Sequence, residues 1–194
     1  VAASDVYKRQ RNEMASDFEG TLRKLAELGY KEMQFAGYHG KSPEYVRKLL
    51  DQLGLTSPAA HVSLYLVRNE LDKQIDIARQ MGQTYIVVPS IPSDERTLED
   101  YRLHAETLNE AGERCKEAGL AIAYHNHSFE LELQNNMTGY DHLLSSTDPR
   151  LVSFELDLYW AVDAGVDPIT LFKNHPGRFP LVHVKDQNLS LIHI

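Results

Sequence analysis

The chain has 194 residues, 42% of them hydrophobic and 25% charged, with a formal net charge of −8. That is the composition of one globular domain. The acidic balance excludes nucleic acid as a general partner, because phosphate binding needs a basic face; a small anionic substrate held by one local Lys or Arg stays open. The single cysteine, Cys115, excludes an internal disulfide framework and reads as a packed helical side chain. No apolar run is long enough to span a bilayer, and a membrane is not an expected partner.

Residues 1–11 lack clear periodicity and read as a non-native or disordered start; 188–194 read as a non-native tail. The expected domain is 12–187. The default location is the cytoplasm, with export left open because the native N-terminus reads as missing.

Within that domain Phe18, Leu22, Leu25 and Leu28 recur at helical spacing, with Gly29 as a stop. Lys31 to Ala36 reads as a strand and 37–40 as a loop. Ser42 and Pro43 open a helix that ends near Leu53-Gly54. A strand over Ser57 to Val62 and a helix over Leu71 to Met81 follow. Thr84 to Pro89 is a continuous apolar run, as in a parallel strand beneath helices. A long helix spans Thr97 to Ala118, a strand Leu120 to Tyr124, a short helix Tyr140 to Ser146 and a strand Leu151 to Leu156. Pro168 to Asn174 is helical, extended upstream by Tyr159 to Val162, and Phe179 to Val184 is the last strand. Phe35, Ile86, Val88 and Phe154 are expected in the core.

This alternation predicts a parallel α/β architecture of six strands. No glycine-rich phosphate loop follows a strand, which weakens a dinucleotide-binding sheet. Polar residues ending several different strands favour an incomplete (β/α)8 TIM barrel, with the first and last strands missing.

Three of those strand ends carry metal-type ligands. Glu155 and Asp157 are two apart and share one face; Asp157, nearer the mouth, is the expected ligand, and Glu155 is a ligand or a buried group behind one. His183 is a second ligand candidate, and Glu130, in the loop after the His125-Asn126-His127 strand end, a third. His125 and His127 are expected to bind substrate hydroxyls or move protons. Lys185 could hold a substrate oxygen or phosphate, and Asp186 could orient Lys185 or an imidazole. His61 ends an earlier strand and is expected in the same pocket. Trp160 is read as a pocket wall; Tyr38, Tyr65 and Tyr159 divide evenly between wall and ordinary packing. His39, His104, His142 and His175 read as surface residues.

The segments Asp17-Phe-Glu-Gly-Thr-Leu-Arg-Lys, Tyr124-His-Asn-His-Ser-Phe-Glu130, Thr147-Asp-Pro149, Phe154-Glu-Leu-Asp-Leu-Tyr-Trp160, Gly165-Val-Asp-Pro168 and Val182-His-Val-Lys-Asp186 resemble the sugar phosphate isomerase/epimerase family, the xylose-isomerase-like barrel group, which is also similar to inosose dehydratases. The resemblance implies a TIM barrel that binds a divalent metal ion (Mn, Mg, Zn or Co) and acts on a sugar, sugar phosphate or polyol. It implies a Glu, Asp, His and second Glu ligand set. Glu130, Asp157 and His183 match the first three, and the last falls beyond this sequence. The proton-transfer candidates are His125, His127, Glu130, Glu155 and Lys185; the substrate-binding candidates are His61, Tyr159, Trp160 and Lys185.

The implied chemistry is proton abstraction beside a carbonyl through an enediolate, as an isomerase or epimerase. An inosose-type dehydratase shares the first step and is the alternative. A metal-dependent phosphodiester hydrolase and a non-catalytic sugar-binding domain are weaker readings. Homo-oligomers are compatible with the sequence, and the fragment by itself is expected to be a poor enzyme.

Overall fold

A computed structural model describes residues 12–184. Its core is a six-stranded parallel sheet, β1 (Glu32–Phe35), β2 (Thr56–His61), β3 (Tyr85–Val88), β4 (Ala121–His125), β7 (Val152–Asp157) and β8 (Leu181–His183), in the order β1-β2-β3-β4-β7-β8. Every neighbouring pair is parallel and joined by a helical crossover. This is the curled part-barrel that strict β/α alternation requires.

The helices α1 (Phe18–Glu27), α2 (Pro43–Leu53), α3 (Leu64–Asn69), α4 (Leu71–Met81), α5 (Leu98–Glu117), α6 (Gly139–Ser146), α7 (Leu158–Asp163) and α8 (Pro168–Asn174) connect the strands. Local chemistry sets their ends. Ser42 accepts the Tyr45 N–H while Pro43 occupies the first turn of α2, and Gly54 closes that helix in the left-handed region at φ 65°. Thr97 and Asp100 form a reciprocal capping box at the start of α5. Inside α5, Gly112 is a close approach: a Cβ there would lie 2.9 Å from the Leu151 carbonyl oxygen at the entry to β7.

Side-chain alternation divides each strand between two environments. Ile86, Val88, Ile122, Tyr124, Phe154 and Leu156 point to the helices and form the main core with α4, α5 and α6. Phe35 joins a second core with Phe18, Leu22, Val46 and Leu50. The opposite face is narrow, built from Ala59, Val87 and Ala123. Gln34, His61, His125, Glu155, Asp157 and His183 have the parity of this concave face. Below them a cavity of about 360 Å³ lies against Gln34, Ala59, Glu155 and Leu181.

Three features depart from the sequence-based expectation. Ser63 accepts the Leu66 N–H and starts α3 in a stretch to which the sequence assigned no element. After a single 3-10 turn at Phe129–Leu131, a small hairpin, β5 (Leu133–Gln134) and β6 (Met137–Thr138), precedes α6. Its turn residues Asn135 and Asn136 have φ of 51° and 68°, which asparagine tolerates in a tight two-residue hairpin. His104 is buried, not a surface residue. One ring nitrogen faces Arg68 at 2.8 Å and the other the Glu95 carbonyl at 2.8 Å, so hydrogen bonds offset its burial.

Candidate functional site

The C-terminal ends of β2, β4, β7 and β8 bring five polar side chains together, His61, His125, Glu155, Asp157 and His183. Among the described residues, two groups of three potential metal ligands converge, each with ligand atoms within 4.8 Å of one another: His125, Asp157 and His183; and His61, His125 and Glu155. His125 belongs to both. Its Nε2 is 3.7 Å from Asp157 Oδ2, and His183 Nδ1 is 3.4 Å from the same oxygen. Its Nδ1 is 2.9 Å from Glu155 Oε2, which also lies 3.0 Å from His61 Nε2.

Strand register explains the convergence. His125 pairs with Glu155 across β4 and β7, and Asp157 pairs with His183 across β7 and β8. Glu155 and Asp157, two residues apart, therefore stack as a lower and an upper carboxylate on one face. Asp157 is fully buried, and its Oδ1 also accepts the Trp160 N–H to cap α7. Asn126 ties β4 to this point: its Oδ1 accepts the Asp157 N–H at 2.9 Å and its Nδ2 faces the Asp157 carbonyl at 3.4 Å.

Burial opposes ionisation of Glu155, but hydrogen bonds from His125 and His61 outweigh it and hold the carboxyl well below the usual carboxylate range. Its other oxygen accepts the Gln34 amide at 2.7 Å, so β1, β2 and β4 all converge on one side chain of β7.

Glu130 is elsewhere. It is fully buried, accepts the Tyr124 hydroxyl at 2.5 Å and the His127 backbone N–H at 2.7 Å, and belongs to neither ligand group. Tyr124 points into the helix layer, so its partner Glu130 lies behind β4 and away from the concave face. The structure does not bring Glu130 to Asp157 and His183; His125 takes that place. Burial pushes the Glu130 carboxyl up to about 7 against those two hydrogen bonds.

An aromatic wall adjoins the His125 group. The His127 ring stacks on Phe129 with centroids 5.7 Å apart and lies 5.4 Å from Trp160, which meets Tyr159 edge-on. Arg96 lies over the far ring, Phe129, at 3.3 Å. Of the other aromatics considered for the pocket, Tyr38 accepts a hydrogen bond from Gln83, and Tyr65 is 67% exposed. Lys185 and Asp186 lie outside the described residues. Cys115 is buried and its thiol is pushed up to about 11 by that burial.

Asn126 and Gln34 are the site residues that sequence reasoning passed over. Asn126 sits inside the His-Asn-His run. Gln34 offered a weaker signal, a lone amide in the middle of a short strand whose neighbour Phe35 is core.

Residues 22–191 match the xylose isomerase-like TIM barrel family. The chain belongs to this family. A sugar phosphate isomerase/epimerase from Parabacteroides distasonis superposes with a TM-score of 0.78 at 30% identity, over 90% of this chain and 71% of that one. An inosose dehydratase of Lacticaseibacillus casei is 27% identical over 190 residues, which is 87% of this chain and 63% of that protein. The chain thus spans a little under two thirds of the curated relatives it matches. The 3-keto-D-glucoside 4-epimerase of E. coli shares the fold at 16% identity and a TM-score of 0.66, over 87% of this chain and 73% of that one. The family explains why polar residues gather at the strand ends: barrels of this kind place their sites at the C-terminal mouth. Among the described residues no helix is long and apolar enough to cross a membrane.

Proposed function

We propose that the complete protein is a divalent-metal-dependent enzyme that moves a proton at a carbon beside a carbonyl in a sugar, sugar phosphate or related polyol. The observation that carries this reading is the convergence of His125, Asp157 and His183, buried, at the ends of three adjacent strands. Two imidazoles and one carboxylate suit Zn or Co better than Mn, and Mn better than Mg, and such an ion, when bound, supplies charge stabilisation for an oxyanion beside the reacting carbon.

The remaining roles fall to the chain's own side chains. Trp160 and Tyr159 offer a flat face to the C–H side of a polyhydroxy substrate. His127, stacked on Phe129 and beside a tilted Trp160, is held at the pocket rim to bind a hydroxyl or carry a proton. His61, hydrogen-bonded to Glu155 and beside the His125 ring, is a second proton-handling group. Returning the proton to the neighbouring carbon gives isomerisation, and to the other face epimerisation.

The likeness to inosose dehydratase supports a second reading that shares the first step and ends with loss of a β-hydroxyl. One experiment separates the outcomes. The full-length protein, loaded with Mn²⁺, is incubated in D₂O with a panel of ketoses, aldose phosphates and ketopolyols and followed by NMR. Deuterium incorporation with retained mass otherwise marks isomerase or epimerase chemistry, and loss of water marks the dehydratase. Absence of metal-dependent exchange across the panel would refute both.

A further inference from the structure

The lower carboxylate, Glu155, is 4% exposed and receives three hydrogen-bond partners from three other strands. Gln34 lies 2.7 Å from Oε1, and His125 Nδ1 and His61 Nε2 lie 2.9 Å and 3.0 Å from Oε2. A carboxylate only accepts, so each ring nitrogen that faces it must carry a proton. We propose that Glu155 is a positioning residue that fixes His125 as the Nδ1–H tautomer, with the Nε2 lone pair turned toward Asp157 and His183, and fixes His61 as the Nε2–H tautomer with its lone pair on Nδ1. The part of this that concerns metal binding rests on the functional reading above.

The geometry distinguishes this role from metal ligation by Glu155. An ion between His61, His125 and Glu155 would have to evict the two imidazole protons that now satisfy Oε2. The carboxylate meets its hydrogen-bonding needs from N–H groups alone. On the other side of the His125 ring, Nε2 lies 3.7 Å from the carboxylate of Asp157, a distance open to a bridging ion. Glu155 therefore stands behind a ligand as a carboxylate stands behind a metal-bound imidazole, setting tautomer and ring angle and raising donor basicity. The Glu155-Leu156-Asp157 spacing encodes the arrangement: alternate residues of one strand place the orienting carboxylate one level below the ligating one.

The test reads tautomers directly. The metal-free chain, with ¹⁵N-labelled histidine, is held at a pH where the imidazoles are neutral, and two-bond ¹H–¹⁵N correlations are recorded, with His61→Gln and His125→Gln used for assignment. His125 is expected to show a protonated Nδ1 and a bare Nε2, and His61 the reverse. Titration with Zn²⁺ should then shift His125 Nε2 while its Nδ1 proton persists. In Glu155→Gln, which has one acceptor oxygen for three donors, His125 should become a mixture of tautomers and Zn²⁺ affinity should fall about 10- to 100-fold.

A proton on Nε2 of His125 in the wild-type protein overturns the proposal, and so does displacement of the Nδ1 proton by zinc. The wild-type spectrum suffices if Glu155→Gln does not fold. The expected tautomers without any zinc binding would uphold the positioning role and refute the metal reading instead.

Discussion

Asn126 offers the sharpest test of how the site is held. Its side chain is fully buried and bridges the end of β4 to the backbone of Asp157. In Asn126→Ala the Asp157 N–H loses its 2.9 Å acceptor in a place where Asp157 itself has no exposure to water. An orphaned buried donor costs about 1–3 kcal/mol, and the 3.4 Å contact to the Asp157 carbonyl is long enough to add little. The expected loss is therefore about 2 kcal/mol, roughly a thirtyfold fall in the folded-to-unfolded ratio. Urea denaturation followed by far-ultraviolet circular dichroism measures it. Asn126→Asp keeps the acceptor but sets a second carboxylate beside Asp157. It should recover the hydrogen bond and lose stability at neutral pH by like-charge repulsion, with the deficit shrinking as the pH falls toward the carboxylate range. A midpoint for Asn126→Ala equal to that of the wild-type protein, with an unchanged slope, would refute this account of how Asp157 is anchored.

Other perturbations separate the parts of the site. Glu130 titrates near 7 when folded against an ordinary value of 4.5, so it favours the folded state fully below about 4.5 and that contribution disappears as the pH rises through 7. The difference in stability between wild type and Glu130→Gln should therefore fall by about 3 kcal/mol from pH 4 to pH 8; a difference flat in pH, by urea midpoints, would sink the assignment. Burial lowers the His104 pKa, so its contribution is present above its ordinary value of 6.5 and is lost as the pH falls through the window below it; His104→Gln should flatten that acid limb in thermal melts. Phe154→Ala empties a fully buried site that meets Tyr140 edge-on at 5.4 Å and carries Arg178 at 4.9 Å, and should cost about 3–5 kcal/mol by denaturant unfolding. Asp157→Asn should lower Mn²⁺ affinity in calorimetry by at least about tenfold, because a neutral amide replaces the one carboxylate in its group.

Much of this was legible in the sequence because alternation does the sorting. Phe154 and Leu156 are apolar and Glu155 and Asp157 are acidic, and once the segment is a strand, parity sends the first pair to the helices and the second to the lumen. Parity also carried His61 and His183 to the same face, from strands far apart in the chain. Glu130 escaped that logic because it follows the strand rather than lying in it. The 3-10 turn at Phe129–Leu131 decides which way its side chain points, and no periodicity encodes a single turn. A polar residue in a loop beside a strand end is as near the helix layer as the lumen, and here the Tyr124 hydroxyl and the His127 N–H wait on the helix side.

The same argument locates His125. As a sequence feature it was one of two equivalent histidines in a His-Asn-His run. In the fold, its ring is flanked by His61, His127 and His183, each with centroids 5.1–5.2 Å away, and it separates the two carboxylates of β7. His125 touches Glu155 with one nitrogen and faces Asp157 with the other, which makes it the route by which the two carboxylates are expected to act on each other. The identity of position 155 should therefore tune Zn²⁺ affinity at the proposed Asp157 and His183 site through the imidazole of His125. That coupling is measurable as a double-mutant cycle on Zn²⁺ affinity: Glu155→Gln and His125→Gln should be strongly non-additive, because once the imidazole is gone Glu155 has nothing to orient. Additive losses would mean that Glu155 acts on the ion by another route.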